Sequence, residues 1–481
     1  LTENEIGIRL RATQQNPSVL PAESLYAIEH DTMDTTFRSM YQGLYIYLSA
    51  RKERRDLLLS QRPPRFDESL DSMISRSEDD FTRIALKAKA AQDYFLLIGP
   101  PGTGKTSCAL KKMVETFHAD KDAQILLLSY TNRAVDEICK SLASIAPAVD
   151  FIRVGSELSC DEAYRGHLIE NELSSCNRRS EVYERIRNCR IIVGTVAAIS
   201  GKPELFRLKH FDVAIIDEAT QILEPQLLGI LCARGEDGKD AIDKFVLIGD
   251  HKQLPAVVQQ NTEQSAIYDE SLLSIGLTNL KDSLFERLYR NCTATVHRSY
   301  DMLCRQGRMH PEVALFANRA FYGGRLIPVG LPHQIESSDT ICRLAFYPSV
   351  PEKAGASAKI NYSEARIVAD LAVRIYEHHQ SDFDESRTLG IITPYRSQIA
   401  LIKKEIESVG IPVLNRILVD TVERFQGSER DVIIYSFCVN YPYQLKFLSN
   451  LTEEEGVLID RKLNVALTRA RKQMFITGVP E

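Results

Sequence analysis

The sequence predicts an α/β protein with two doubly wound parallel sheets in tandem, preceded by a helical segment. Short apolar runs are continuous rather than alternating, helical stretches separate them, and the same order restarts after about residue 293. A parallel strand is covered by helices on both faces, so it needs apolar side chains on both sides. Because strands that alternate with helices form parallel sheets, two such series indicate two α/β domains.

The predicted strands are the nearly continuous apolar runs. In the first domain they are Tyr94–Ile98, Ile125–Leu128, Ile191–Val193, Val213–Ile216 and Phe245–Ile248. In the second domain they are Leu389–Ile392, Leu414–Val419, Val432–Phe437 and Met474–Thr477.

The first 75 or so residues predict helices and carry no catalytic motif. Apolar residues at helical spacing indicate one helix face, formed by Phe37, Met40, Tyr41, Leu44, Tyr45 and Leu48. The charged run that follows continues the helix, and Pro63-Pro64 ends it. A packed accessory helix and a stalk that supports a further module both fit this pattern. We expect residues 1–78 to form the helical region, residues 79–294 the first α/β domain and residues 295–481 the second.

Composition and charge exclude several classes of protein. Hydrophobic residues make up 44% and charged residues 26%, as in ordinary folded proteins. The 59 basic and 65 acidic residues give a net charge of -6, which argues against a strongly cationic nucleic-acid binder but allows a local basic groove. No run of 18 apolar residues is present, and we expect no signal peptide because the first residues include no basic and apolar regions of that kind. The ten cysteines form no C-x-x-C pair, so we expect free thiols in a reducing intracellular compartment, whether cytoplasm, nucleoid or nucleus.

A phosphate-binding loop follows the first predicted strand. The pattern G-x-x-x-x-G-K-[ST] is matched by Gly99, Pro100, Pro101, Gly102, Thr103, Gly104, Lys105 and Thr106. Glycines let backbone amides surround the phosphates, and the helix N-terminus adds partial positive charge. Lys105 is expected to reach the β- and γ-phosphates of ATP, and the hydroxyl of Thr106 to ligate Mg²⁺.

An acidic pair ends another predicted strand. Asp217 and Glu218 follow the apolar run Val213–Ile216, and the carboxyl ends of parallel strands border the ligand crevice in such sheets. We expect Asp217 to hold Mg²⁺ through its waters and Glu218 to activate the attacking water. Together with the phosphate-binding loop, the pair predicts a nucleoside triphosphatase.

Three further residues indicate that the nucleotide lies between the domains. Gln253 follows the next strand and places an amide where a γ-phosphate can be sensed. Arg308 and Arg469 belong to the second domain, and they reach a nucleotide on the first domain only if it binds at the seam. Such an arrangement lets ATP drive domain closure. A simple P-loop kinase would need neither these residues nor a second domain.

The motifs in sequence order resemble those of one enzyme family. They are GPPGTGKT, SYTNRAVDEI, GT, DEATQ, GDHKQLP, QGRMHP, ITPYRSQ, TVERFQGSERD and LNVALTRAR. This order resembles superfamily 1 helicases of the 5'-to-3' (B) branch, within it the nonsense-mediated-decay helicase group and the helicase half of the replication nuclease-helicases. The resemblance covers about residues 93–478 and implies two RecA-like domains with nucleic acid crossing the top of both. Residues 37–62 are similar to a stalk that, in this group, braces a small β-barrel.

The resemblance also implies roles for matching residues. Gln253 is implied as the γ-phosphate sensor, Arg308 and Arg469 as arginine fingers, and Glu429 as a neighbour of the nucleotide ribose. The residues implied to face the nucleic-acid backbone are Asn132, Thr195, Thr393, Tyr395 and Thr421.

Two positions depart from the family pattern. Gly307 stands where the family has an aromatic residue that stacks on adenine, and Thr82 stands where a glutamine reads it. Both departures weaken base selection and leave the phosphate-binding residues intact. We therefore expect the site to use ATP and other nucleoside triphosphates.

The predicted partner is single-stranded DNA or RNA, which the sequence does not distinguish because backbone contacts are common to both. The leading hypothesis is an ATP-driven 5'-to-3' helicase or translocase. The alternative is a nucleic-acid clamp or switch that hydrolyses ATP without opening a duplex. The chain does not begin with Met, so we expect it to be a piece of a longer protein, with a nuclease or regulatory domain outside it. We expect a monomer and no membrane association.

Overall fold

The computed structural model describes residues 35–295, 298–336, 342–352, 357–454 and 456–480. The chain divides into two compact units, Leu1–Arg38 and Ser39–Glu481. Both sheets and all the sites below lie in the second unit. The helices predicted before residue 35 lie outside the described residues.

The first sheet has seven strands, all parallel, in the spatial order β3-β4-β2-β5-β6-β1-β7. The strands are β1 (Tyr94–Ile98), β2 (Ile125–Ser129), β3 (Phe151–Val154), β4 (Ile191–Thr195), β5 (Phe211–Ile216), β6 (Ile242–Gly249) and β7 (Tyr300–Met302). All five predicted strands are present, whereas β3 and β7 were not predicted. Because β7 comes from beyond residue 294, the position of the boundary between the two α/β parts stays a prediction.

Helices cover both faces of this sheet. They are α1 (Thr35–Leu48), α2 (Lys52–Leu58), α3 (Asp71–Arg76), α4 (Asp80–Ala90), α5 (Lys111–His118), α6 (Asn132–Ala143), α7 (Ile169–Glu172), α8 (Arg179–Asn188), α9 (Val196–Ser200), α10 (Glu204–Leu208), α11 (Glu224–Leu231), α12 (Glu270–Ser274) and α13 (Leu284–Ala294). Along β1, Phe95 and Leu97 belong to one apolar cluster, while Leu96 and Ile98 belong to the cluster on the opposite face. Burial on both faces is the reason why the strand sequences are continuously apolar.

The second sheet has five parallel strands in the order β10-β16-β13-β11-β12. The remaining strands of the chain are β8 (Arg305–Gln306), β9 (Ile327–Pro328), β10 (Leu344–Pro348), β11 (Leu389–Ile392), β12 (Leu418–Asp420), β13 (Arg430–Ser436), β14 (Leu451–Glu454), β15 (Val457–Asp460) and β16 (Ala470–Gly478). The helices are α14 (Pro311–Tyr322), α15 (Pro332–Ile335), α16 (Tyr362–His378), α17 (Arg396–Ser408), α18 (Val422–Phe425), α19 (Leu445–Leu448) and α20 (Arg461–Leu467).

One predicted strand of this sheet is wrong over most of its length. The run Leu414–Val419 begins inside a 3-10 turn, Pro412–Arg416, and only its last residues belong to β12. Pro412 cannot donate a ladder hydrogen bond, and Leu414 is buried from the turn rather than from a strand. The apolar pattern of the sequence is the same for a leucine that is buried from a 3-10 turn and for one that is buried from a strand, so it did not distinguish them.

The predicted N-terminal helix is two helices, and its packed face differs from the predicted one. The side chains of Tyr41 and Tyr45 are 74% and 72% exposed. The contact is made instead at Gly43, where an added Cβ would lie 2.2 Å from the carbonyl oxygen of Pro225 at the start of α11. Here a glycine, rather than a row of large side chains, fixes the approach of α1.

Buried arginines attach α2 to the first sheet. Arg54, 5% exposed, donates to the carbonyl of Asp243 at 3.0 Å, and Arg287 of α13 donates to the carbonyl of Leu58 at 2.7 Å. The helical segment is therefore packed on the α/β part that follows it. Among the described helices, we find none with the length and apolar character that crossing a membrane requires.

Candidate nucleotide-binding site

The phosphate-binding loop connects β1 to a helical segment, Lys105–Leu110, that continues into α5. Gly104 has a positive φ of 76°, and its carbonyl accepts hydrogen bonds from the amides of Cys108 and Ala109 at 3.0 and 2.9 Å. The segment therefore opens with π-type hydrogen bonding. A helix N-terminus after a glycine turn presents backbone amides to an anion.

The loop is closed by its own polar groups. The hydroxyl of Thr103 donates to the carbonyl of Pro100 at 2.7 Å, and Thr103 and Pro101 are both buried. At Gly99 an added Cβ would lie 2.1 Å from Cγ of Lys105, so the lysine side chain passes directly over the glycine. These contacts place the Lys105 ammonium group above the loop.

The loop also meets the second α/β part of the chain. The amide of Gly307 donates to the carbonyl of Gly102 at 2.8 Å. A Cβ added at Gly102 would lie 2.4 Å from Cβ of Arg308, and the positive φ of 74° at this position also favours glycine. Arg308 thus lies beside the phosphate-binding loop, as predicted for a residue at the seam.

The acidic pair lies next to this loop. Lys105 Nζ is 3.2 Å from Oε1 of Glu218, and the hydroxyl of Thr106 donates to Oδ2 of Asp217 at 2.5 Å. Because β1 and β5 are parallel in one sheet, their carboxyl ends bring these four residues to the same edge. The predicted nucleotide and metal residues of the first α/β part therefore form one cluster.

Glu218 is held in an uncommon backbone conformation. Its φ of 52° lies in the left-handed region, which costs a non-glycine residue about 1–3 kcal/mol. Its amide donates to Oδ1 of Asp217 at 2.9 Å, and Gln221 Nε2 donates to its Oε2 at 2.9 Å. The surrounding bonds hold the carboxylate towards Lys105 despite this cost.

The two carboxyl groups differ electrostatically. Burial, together with the charge of Glu218, raises the pKa of Asp217. Burial acts to raise the pKa of Glu218, but the ammonium group of Lys105, the hydrogen bond from Gln221 and the charge of Arg469 together lower it below its usual value. Glu218 is therefore ionised at neutral pH, which suits a group that accepts a proton.

Gln253 and Arg469 meet across the two α/β parts. Arg469 donates from Nη2 to Oε1 of Gln253 at 3.1 Å, and the two side chains are 2% and 5% exposed. Burial and the neighbouring charge of Arg308 lower the pKa of Arg469 to about 9, which leaves it cationic at neutral pH. The predicted sensor and the predicted finger are thus direct neighbours.

Arg308 is paired with Glu429. Its Nε donates to Oε2 of Glu429 at 2.6 Å, and Nη1 donates to the carbonyl of Thr468 at 3.3 Å. Arg471 also lies 3.7 Å from Glu429. In this structure Glu429 orients arginines, and its predicted proximity to a ribose stays a prediction.

Aliphatic side chains occupy the space at Gly307. A Cβ added there would lie 3.2 Å from Cδ1 of Leu331 and 3.4 Å from Cγ2 of Val329. Thr82 lies in the first turn of α4, where its hydroxyl and amide donate to the carboxylate of the capping residue Asp79 at 2.6 and 2.8 Å. Neither Gly307 nor Thr82 therefore provides an aromatic ring or a side-chain amide that could contact a nucleobase.

The five residues predicted to face nucleic acid lie at or just beyond the carboxyl ends of strands. Asn132 begins α6, and Thr421 precedes α18. The hydroxyl of Tyr395 accepts from Gln444 at 3.2 Å. Thr195 caps α9 and is 8% exposed, whereas Thr393 is fully buried. The two buried hydroxyls do not reach the surface in this conformation, so contact with a nucleic-acid backbone stays a prediction.

Several residues of the site were not found from the sequence. Asp250 and Asn464 lie inside motifs that we recognised, but only their neighbours received roles. Glu454 on the β14–β15 hairpin lies 2.9 Å from His251 Nε2 and 3.4 Å from Lys252 Nζ. No local signal identifies Glu454, because its importance depends on which strand ends the fold brings together.

Known proteins match most of the chain. Two family models, each described as an AAA domain, match the chain. One matches residues 76–182 and 169–261, and the other matches residues 280–481. The DNA replication ATP-dependent helicase/nuclease DNA2 of Gallus gallus is 28% identical over 487 residues, which cover 96% of this chain and 44% of that protein. The Homo sapiens protein of the same name is 28% identical over 526 residues, with the same two coverages of 96% and 44%. The DNA polymerase alpha-associated DNA helicase A of Saccharomyces cerevisiae is 24% identical, over 94% of this chain and 72% of that protein. The chain spans less than half the length of the first two relatives.

We expect Asp217→Asn to gain stability relative to the unsubstituted chain as pH rises. A carboxyl whose pKa is raised by folding stabilises the protein below its unfolded pKa, and this contribution is lost as pH rises through the folded pKa. The asparagine does not titrate, so the difference in free energy of unfolding should shift towards the variant by about 1–3 kcal/mol between about pH 4 and 7. Denaturant unfolding at several pH values measures this difference. The same change at the exposed Asp122 is the control, and an identical pH dependence for both variants would contradict the assignment.

Proposed function

We propose that this chain, which belongs to the superfamily 1 helicases of the nonsense-mediated-decay and replication nuclease-helicase group, is an ATP-driven motor on single-stranded nucleic acid. One observation carries the proposal. Lys105 and Thr106 meet the acidic pair on one α/β part, while Arg308 and Arg469 reach the same place from the other.

The residues at the edge of the first sheet fit a nucleotide and its magnesium ion. The hydroxyl of Thr106 and the carboxylate of Asp217 are adjacent oxygen donors, the ligand type that Mg²⁺ prefers. Bound there with a nucleotide, Mg²⁺ would neutralise charge on the phosphate oxygens. We propose that the Lys105 ammonium group leaves Glu218 and binds the phosphates when the nucleotide enters. The Glu218 carboxylate is then free to accept a proton from the attacking water.

Residues of the second α/β part would complete the site. Arg469 is buried beside Gln253, and Arg308 lies against the phosphate-binding loop. We propose that both arginines stabilise charge that develops on the transferred phosphoryl group. Since they come from a different α/β part than Lys105, hydrolysis and the approach of the two parts would depend on each other.

We propose single-stranded DNA as the track and 5'-to-3' as the direction. The three relatives described above carry names that refer to DNA replication or a DNA helicase, which favours DNA over RNA. The direction depends on the resemblance of the motifs. A nuclease portion outside this chain is proposed because the first two relatives are named helicase/nuclease and are more than twice as long. The second candidate function is a nucleotide-switched clamp, which would use the same site without opening a duplex.

We expect Lys105→Ala and Glu218→Gln to abolish hydrolysis for different reasons. The first change removes the charge that holds the triphosphate, so nucleotide affinity should fall. The second removes the proton acceptor, so nucleotide should still bind. Turnover assays and titration with a fluorescent nucleotide separate the two effects. Lys112→Ala, on the surface of α5, is the matched control, and near-normal hydrolysis by Glu218→Gln would show that another group is the base.

Strand displacement on tailed duplexes tests the motor function. We expect unwinding of 5'-tailed duplexes, stimulation of hydrolysis by single strands and weaker binding as salt concentration rises. Hydrolysis that is stimulated by single strands without any displacement would favour the clamp. Unwinding only of 3'-tailed duplexes would overturn the proposed direction.

We expect GTP and CTP to be hydrolysed within about tenfold of ATP, a difference of about 1.4 kcal/mol. A site rejects an analogue mainly by leaving a buried polar group unpaired, and neither Gly307 nor Thr82 supplies such a group. Gly307→Tyr combined with Leu331→Ala should restore a preference for ATP, since the second change opens the space that the ring needs. Competition between nucleotides measures the preference, with Leu331→Ala alone as the control. An ATP preference of about a hundredfold in the unsubstituted chain would contradict this expectation.

A further inference from the structure

A buried chain of polar groups joins Gln253 to the second α/β part. Oδ2 of Asp250 accepts from Gln253 Nε2 at 2.7 Å and from the hydroxyl of Tyr322 at 2.7 Å. Asn464 Nδ2 then donates to the Tyr322 hydroxyl oxygen at 2.8 Å. Asp250 and Tyr322 are each 1% exposed, and Asn464 is fully buried.

The number of donors fixes the direction of each bond. A hydroxyl has one proton, and because the Asn464 amide group already donates to it, Tyr322 must donate to Asp250. Burial and the Asp250 carboxylate raise the pKa of Tyr322 well above its usual value, so the hydroxyl keeps this proton. Asp250 therefore holds the amide nitrogen of Gln253 and leaves its Oε1 facing Arg469.

The connection crosses from one α/β part to the other. Asp250 and Gln253 follow β6 of the first sheet. Tyr322 ends α14 and Asn464 lies in α20, and these two helices pack on each other. Asn464 Nδ2 also donates to the carbonyl of Lys252 at 2.7 Å, while its Oδ1 is buried without a partner. Leaving a buried acceptor unpaired costs free energy. The two hydrogen bonds that the Asn464 amide donates offset this cost and hold the amide in this orientation.

We infer that Tyr322 is a positioning residue that makes the orientation of Gln253 depend on the approach of the second α/β part. This inference rests on the proposed function. When the two parts are together, the Tyr322 hydroxyl fixes Asp250, which in turn fixes the Gln253 amide beside Arg469. When they separate, Asp250 loses this donor and Gln253 is no longer held by it. The hydroxyl thereby links domain closure to the γ-phosphate sensor.

Packing of the ring does not account for the hydroxyl. Tyr322 belongs to an apolar cluster with Ala317, Phe321, Leu326 and Ile459. A phenylalanine would fill the same space in this cluster. Removal of the hydroxyl oxygen therefore breaks the polar connection and leaves the apolar contacts of the ring in place.

Tyr322→Phe tests the inference. We expect kcat for nucleotide hydrolysis to fall about tenfold, with the Kd for a fluorescent nucleotide changed by less than about threefold, because the hydroxyl orients a sensor rather than a binding group. Stimulation of hydrolysis by single strands should fall with kcat. Tyr376→Phe, which removes a hydroxyl elsewhere in the second α/β part, is the matched control and should leave both constants unchanged.

A double-mutant cycle shows whether Tyr322 acts through Gln253. In a Gln253→Ala background, Tyr322→Phe should cause little further loss of kcat, since the group that it orients is gone. Losses that multiply, or a Tyr322→Phe variant with lower thermal stability and unchanged kcat, would overturn the inference. Asp250→Asn should reproduce the loss from the other α/β part, which covers the case in which Tyr322→Phe folds poorly. If the unsubstituted chain hydrolyses no nucleotide, the proposed function fails and the inference fails with it. Normal hydrolysis by the unsubstituted chain, by Tyr322→Phe and by Asp250→Asn would overturn the inference alone.

Discussion

The arrangement of the site depends on a close backbone contact between the two α/β parts. The amide of Gly307 donates directly to the phosphate-binding loop at Gly102, where an added Cβ would lie 2.4 Å from Arg308. A loop that needs glycine to surround phosphate therefore also needs it to admit the second part of the chain. Because this contact brings the backbone beside Arg308 to the loop, the Arg308 side chain lies beside the residues that we propose bind the phosphates. The remaining contacts across the seam maintain this approach.

Charged groups at the seam are paired with one another. Lys105 lies against Glu218, Arg308 against Glu429, and Glu286 of α13 against Arg461 of α20 at 2.5 Å. The side chains of Glu286 and Arg461 are 5% and 13% exposed, and a buried charge without a partner is costly, so this pair is a condition for keeping both residues buried. Of these three pairs, the one between Glu286 and Arg461 joins one α/β part to the other. This ion pair helps to hold the two parts together, whereas the other two pairs orient charged groups within one part each.

The sequence predicted the fold, and it predicted which residues cluster at the edge of the first sheet, because both depend on local patterns. Continuous apolar runs identified nearly every central strand, and the residues around Lys105 and Asp217 form a cluster since parallel strands end at one edge. Short or edge elements such as β7 and β10 were missed, because their residues are few or partly exposed. Tyr322 was missed for a different reason. Its role depends on the meeting of α14 with residues after β6, and no periodicity or spacing in the sequence reports that distance.

The partner of Arg469 has a consequence for how readily this arginine can be released. Its terminal nitrogen rests on the amide oxygen of Gln253, which is neutral, rather than on a carboxylate. A hydrogen bond to a carboxylate is about twice as strong as one to a neutral acceptor. A carboxylate at this position would bind Arg469 more tightly, since an incoming anion would have to compete with a full negative charge for the arginine. The neutral amide keeps a desolvated cation in place, and an incoming anion has only this weaker hydrogen bond to replace.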